Sequence, residues 1–182
     1  MALSLGRSAV AGITIVGGTD TERAAIQTAY ASIPACCSKS CSVCVRILTD
    51  PDMDAYLQQC AASQSEKLVN ASAVDGLFQN TTSTITLRES SATSFSATFA
   101  HEFGHYVWFN VLSKVQRNQF TRQYKNQQAS HTFITFYAAV SPQEDFAEAF
   151  SFYCLQRPLL SSKDSESCCF LNNCLTSGSP SR

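Results

Sequence analysis

Between Ser94 and Lys114 the chain carries two apolar stripes at once, and any fold must accommodate that. At helical spacing, Phe95, Phe99, Phe103, Val107 and Val111 recur every four residues, while His101, His105, Trp108 and Leu112 fall on roughly the opposite side. A helix apolar on two sides has to be enclosed, so the pattern predicts a buried helix over 94–114 beside a cleft. Within it, His101-Glu102-Phe103-Gly104-His105 sets two imidazoles one turn apart on one face. Both can reach a single zinc ion, with Glu102 pointing toward the metal's open side. Buried histidines are more often simply hydrogen-bonded. Here the glutamate directly after the first histidine favours the metal site. Gly104, which costs a helix about 1 kcal/mol relative to Ala, asks for a close approach by another backbone.

Two histidines leave a catalytic zinc one protein ligand short, since such sites have three plus a water. Ser141-Pro142-Gln143 is a helix-start signal, and a helix continuing through Tyr153 puts Glu144 and Glu148 one turn apart on a shared face. One of the two can bind zinc while the other accepts a hydrogen bond from a ligand histidine's second nitrogen, fixing its tautomer. Phe146, Phe150 and Phe152 flank them and argue against a fully solvated helix face. Asp145 and the lone His131 are the alternative ligands.

The remainder reads as the scaffold of one domain. Ile13 to Val16 is a strand ended by Gly17-Gly18. Thr19 or Asp20 caps a helix from about Thr21 to Ser32 whose packing face is Ala24, Ala25, Thr28 and Ala29. Val43 to Leu48 alternates as a half-buried strand, and Asp50-Pro51 opens a helix to about Ala62. Ser63 to Asn80 is polar and turn-prone and is expected to be mostly loop, with Asp75-Gly76 its clearest breaker. Thr82 to Arg88 alternates as an edge strand whose Thr84, Thr86 and Arg88 face is placed to pair with an extended substrate. The expected fold class is α+β: a small mixed twisted sheet with that edge strand lining the cleft, and the histidine and glutamate helices packed beneath it. The expected division is an N-terminal segment 1–11, a domain 12–157, and a Cys- and Ser-rich tail 158–182 packed on or tethered to it.

Charged residues make up only 15% of the 182 residues and the net charge is −1. No basic run suggests nucleic-acid binding, and no stretch approaches the roughly 18 uninterrupted apolar residues of a membrane span. Nothing sets an oligomeric state. Nine cysteines fall in an early cluster (Cys36, Cys37, Cys41, Cys44, Cys60) and a late one (Cys154, Cys168, Cys169, Cys174). Disulfides tying the termini to the domain, and with them a secreted or extracellular location, are the first expectation, although no clear signal peptide precedes them. A second, structural zinc held by the Cys41-x-x-Cys44 pair and two late cysteines is the other.

The pairing of His101-Glu102-Phe103-Gly104-His105 with Glu144-Asp145-Phe146-Ala147-Glu148-Ala149-Phe150 resembles the gluzincin metallopeptidases, and more narrowly the catalytic domain of the anthrax lethal factor family. The resemblance runs in element order from about Gly12 to Tyr153; the cysteine clusters and the tail depart from it. It implies a zinc metalloendopeptidase acting on a peptide or protein substrate. By that resemblance His101, His105 and Glu144 bind the zinc, Glu148 orients a zinc-binding histidine, and Glu102 is the general base toward the water the zinc activates. Tyr137, seven residues before the ligand glutamate, stabilises the oxyanion. The alternatives are a catalytically silent zinc-bearing module of a larger assembly, or hydrolysis of a non-protein amide.

Overall fold

A computed structural model of the chain describes residues 7–10, 12–63, 71–90 and 95–176. It is a mixed α+β fold around a five-stranded sheet: β1 (Arg7–Val10), β2 (Ile13–Val16), β3 (Val43–Leu48), β4 (Gly76–Gln79) and β5 (Thr84–Arg88), in the order β1-β2-β3-β5-β4. The inner strands β2, β3 and β5 run parallel, and β1 and β4 flank them antiparallel. The sheet therefore begins before residue 12, inside the segment expected to precede the domain.

Helix α1 (Asp20–Ala31) starts where Thr19 and Glu22 form a reciprocal capping box. Its packing face differs from the small-residue one expected. Ile26, Ala29 and Tyr30 are buried, whereas Ala24 and Thr28 are exposed, because the bulkier Ile26 and Tyr30, one turn apart, bury more apolar area than alanines. The short α2 (Ala35–Ser38) leads into β3. Ile13, Ile15, Val43, Val45, Ile47, Ile85 and Leu87 face a core shared with α1 and with α4 (Phe95–Asn110). The alternate residues face α3 (Asp50–Ser63): Arg46 lies 5.3 Å over the Tyr56 ring, and Arg88 reaches Asp54 at 2.7 Å.

The helix expected to run to Lys114 ends at Asn110. Val111 and Leu112 both direct their N–H groups to the Val107 carbonyl, and Ser113 with Gln116 forms a capping box that opens α5 (Lys114–Ser130). Arg117 then donates to the Trp108 and Leu112 carbonyls at 3.0 and 2.6 Å, satisfying the frayed end of α4. The apolar stripe runs past the break, which is why periodicity alone overextends the helix; Val111 is exposed. Helix α6 (Pro142–Leu155) begins as the Ser141-Pro142 signal predicts, the Ser141 hydroxyl accepting from Glu144 N–H. The tail folds as α7 (Arg157–Lys163) and α8 (Ser165–Thr176), and Leu160, Phe170 and Leu171 join Phe120 and Phe146 in the common core. Among the described residues no helix is long and apolar enough to cross a membrane.

Helices α4 and α6 touch backbone to backbone. A Cβ added at Gly104 would sit 2.8 Å from the Ala147 Cα, so only glycine permits the approach its sequence position suggests.

Candidate metal centre

That close contact brings the histidine face of α4 against the first two turns of α6. His101, His105 and Glu144 each offer a ligand atom, and these atoms lie within 4.8 Å of one another. His101 Nδ1 is 2.7 Å from Glu148 Oε1, while His101 Nε2 and His105 Nε2 stand 3.1 and 3.3 Å from the same Glu144 oxygen, Oε2. The i, i+4 spacing on each helix does this: one turn of α4 presents both imidazoles, and one turn of α6 presents one carboxylate to the imidazoles' outer nitrogens and one to the inner nitrogen of His101. This group could hold a metal ion.

The hydrogen bonding tests whether a cation fits. With its Nδ1 proton donated to Glu148, a neutral His101 turns its Nε2 lone pair toward a carboxylate oxygen. Acceptor facing acceptor is tolerable only when a proton or a metal ion lies between them, so the donor set suits a cation. The charges say the same. Burial disfavours the His101 imidazolium, yet the hydrogen bonds to Glu144 and Glu148 and the charge of Glu102 push its pKa up to about 10. Burial works against ionised Glu144 too, but both imidazoles outweigh it and hold the carboxyl at about 2. Glu148 is likewise lowered against its burial by hydrogen bonds from His101 and Thr135.

Glu102 is buried, and burial raises its pKa despite the nearby histidines. Its carboxylate accepts from the Phe78 N–H of β4. This strand was expected to be loop, and it, rather than β5, forms the sheet edge beside the site. Arg88 N–H donates to the Asp75 carbonyl at 2.9 Å, so alternation turns the main-chain groups of Gly76 and Phe78 away from β5, along the free edge. A Cβ at Gly76 would crowd the Glu102 carboxylate, meeting its Oε1 at 2.8 Å.

The expectation for Thr84, Thr86 and Arg88 is thereby corrected. They lie on an inner strand, on the α3 face; Thr86 is 0% and Arg88 4% exposed. Arg88 donates to the Val74, Ala71 and Asp50 carbonyls and to Asp54, a structural clamp rather than a substrate contact. A face read from alternation gives no account of which strand will be outermost, because that depends on pairing with a segment lacking any alternation of its own.

Tyr137 opens a 3-10 turn, Tyr137–Val140, with its ring centroid 5.7 Å from that of His101. Burial and then the charges of Glu144, Glu102 and Glu148 push its hydroxyl up to about 12, so it remains a proton-bearing donor at neutral pH. Thr135, which carried no sequence signal, donates to Glu148 Oε2 at 2.7 Å. It also lines a cavity of about 690 Å³ with Phe133, Ile134, Phe136, Ala139 and the exposed His131. His131 is the left-handed C-cap of α5 and stands outside the ligand group. Asp145, the other alternative ligand, is fully buried away from it; both its oxygens lack a hydrogen-bond partner, and burial, then Asp164 and Glu148, push its pKa up to about 8.

The expected disulfides are not seen for the cysteines of either cluster: Cys36, Cys37, Cys41, Cys44, Cys154, Cys168, Cys169 and Cys174 are thiols. Cys36 turns to the Leu175 carbonyl at 3.0 Å, and Cys41 to the Tyr30 hydroxyl at 3.1 Å. The Cys41-x-x-Cys44 pair is divided: Cys41 is buried in the α1 core, whereas Cys44 alternates with the core-facing Val43 and Val45 along β3. Among the described residues no three cysteines converge as a second zinc site would require. No protein-family model matches the chain, and no curated protein matches it at a significant level.

Proposed function

We propose that the protein is a zinc-dependent metalloendopeptidase with a zincin-like fold, of the gluzincin type and resembling the lethal factor family. The observation that carries the reading is the convergence of His101, His105 and Glu144 on one point, with buried Glu102 against a free strand edge. Zinc held by these three residues would supply Lewis acidity toward a carbonyl oxygen and acidify water.

The chain's own groups do the rest. With the Phe78 N–H committed to Glu102, the outward main-chain groups of Gly76 and the Phe78 carbonyl hold an extended peptide by strand addition. Glu102, whose burial raises its proton affinity, takes a proton from the attacking water and delivers it to the leaving amine. The Tyr137 hydroxyl, kept protonated, donates to the developing oxyanion. Glu148 fixes the Nδ1–H tautomer of His101.

A peptide-library cleavage profile with and without a chelator tests this. Zinc-loaded protein should cleave, chelated protein should not, and Glu102→Gln should keep its zinc while losing about 10²- to 10⁴-fold in rate. Protein that binds zinc yet cleaves no peptide would replace the enzyme with the silent zinc-bearing module.

A further inference from the structure

The segment just before α6 carries a hydrogen-bonded connection that the catalytic roles above leave unused. Thr135 Oγ1 donates to Glu148 Oε2 at 2.7 Å and accepts from the Ala138 N–H at 3.1 Å. The other oxygen of the same carboxylate, Oε1, takes the His101 Nδ1 proton at 2.7 Å. One side chain thus joins the carboxylate that orients a metal-binding histidine to the first turn of the 3-10 segment that starts at Tyr137. Bonding from a hydroxyl to the N–H three residues on is the arrangement of a helix N-cap. Phe136, the formal cap position, makes no such bond.

The turn packs against α6 on its inner side and is open on its outer one. Phe136, Tyr137, Ala139 and Val140 are exposed and only Ala138 is buried. At its far end Tyr124 donates to the Ala139 carbonyl at 2.8 Å. At the near end Tyr137 itself meets Glu144 through its hydroxyl and His101 through its ring, and Thr135 adds the one bond that ties the turn's backbone, at the Ala138 N–H, to the Glu148 carboxylate.

We propose that Thr135 is a positioning residue that sets the Tyr137 turn against the metal centre through Glu148. The inference rests on the peptidase reading for its kinetic consequence, and on the metal site alone for its structural one. A hydroxyl is needed, since only a group that donates and accepts at once can serve both partners. Serine meets that requirement; valine has threonine's shape and neither capacity.

The experiment compares Thr135→Val and Thr135→Ser with the parent in two assays. The first reads zinc affinity by chelator competition and, by hydrogen exchange, the protection of the Ala138 amide with and without zinc. In the parent, zinc slows Ala138 exchange. In Thr135→Val that slowing is lost and zinc affinity falls about 10-fold, the lower end for a residue supporting a metal ligand, while Thr135→Ser restores both. The second assay, on a cleaved peptide, expects Thr135→Val to lower kcat about 10-fold with KM little changed. In a Tyr137→Phe background the same change should have almost no further effect on kcat, because both act through one hydroxyl. Ala138 exchange indifferent to zinc in the parent, or equal zinc affinity in Val and Ser variants, overturns the proposal whether or not any peptide is cleaved. A fully additive kcat loss with Tyr137→Phe overturns the link to Tyr137 specifically. Absence of cleavage by the parent tells against the peptidase reading and leaves the first assay to decide the tie.

Discussion

Glu144 and Asp145 are adjacent on one helix and have opposite electrostatic fates. Glu144 faces two imidazoles and is held at about 2; Asp145 faces the helical layer formed with α5 and α8 and is pushed up to about 8. Both lose solvation. What separates them is company. Glu144 has His101 and His105, whereas the charges near Asp145 are those of Asp164 and Glu148. Beside it, Gln127 donates to Asp164 at 2.8 Å and Gln123 to Ser167 at 2.6 Å, a buried network made of neutral donors. A carboxylate faced by imidazoles is poised to hold a metal; one faced only by other carboxylates is poised to stay protonated.

The largest effect expected from this contrast is on zinc. Glu144→Ala removes one of three protein ligands. Roughly a third of a binding free energy of about 12 kcal/mol is ~4 kcal/mol, or about 1,000-fold in affinity. Asp145→Asn should leave affinity within about 3-fold on the same scale; comparable losses in both variants, measured by chelator competition, would erase the distinction between the two acids. Next comes Gly76→Ala, which forces a methyl against the Glu102 carboxylate. It should lower peptidase rate by about 100-fold, the scale of a displaced catalytic group, with zinc content unchanged by metal analysis.

A smaller effect concerns stability. The folded pKa of Asp145 lies above its ordinary value, so its contribution is intact below about pH 4 and is lost as pH rises through about 8. Asp145→Asn should therefore stabilise chelated protein by on the order of 4 kcal/mol more at pH 9 than at pH 5. Urea unfolding at the two pH values checks it, and equal gains would mean that Asp145 is ionised in the fold. The smallest signal is a proton count. In metal-free protein His101 is protonated at neutral pH, its raised pKa adding stability that is present below about 6.5 and fades through about 10. Zinc binding at pH 7 should then release about one proton, visible as buffer-dependent heat in titration calorimetry. No buffer dependence would show that His101 starts neutral.

How much of this could be read from the chain follows from distance along it. His101 with His105, and Glu144 with Glu148, are one-turn pairs, so helix geometry alone puts each pair on a face. The helix starts at Thr19 and Ser141 were legible for the same local reason. Strand β4 was not, because all four of its residues are only partly buried and show no alternation; pairing with β5 makes it a strand. Once β4 is outermost, Thr86 and Arg88 become interior, so one missed strand also misplaced the expected substrate edge. Helix α5 did carry its signal in Ser113 and Gln116, masked by the apolar residues Val111 and Leu112 just before it. Thr135 matters only through a carboxylate thirteen residues away in sequence, and no local pattern marks such a partner.

The contact between Gly104 and Ala147 gives the metal centre a mechanical character. Two of the three candidate ligands ride on one helix and the third on the other, so the span between them is gauged where the two backbones touch, one position before His105 and three beyond Glu144. A methyl group at Gly104 would act as a shim, prising the helices apart by tenths of an ångström. Zinc sites hold their bond lengths to about 0.2 Å, so the dimensional tolerance of the centre is set by a residue with no side chain to offer it.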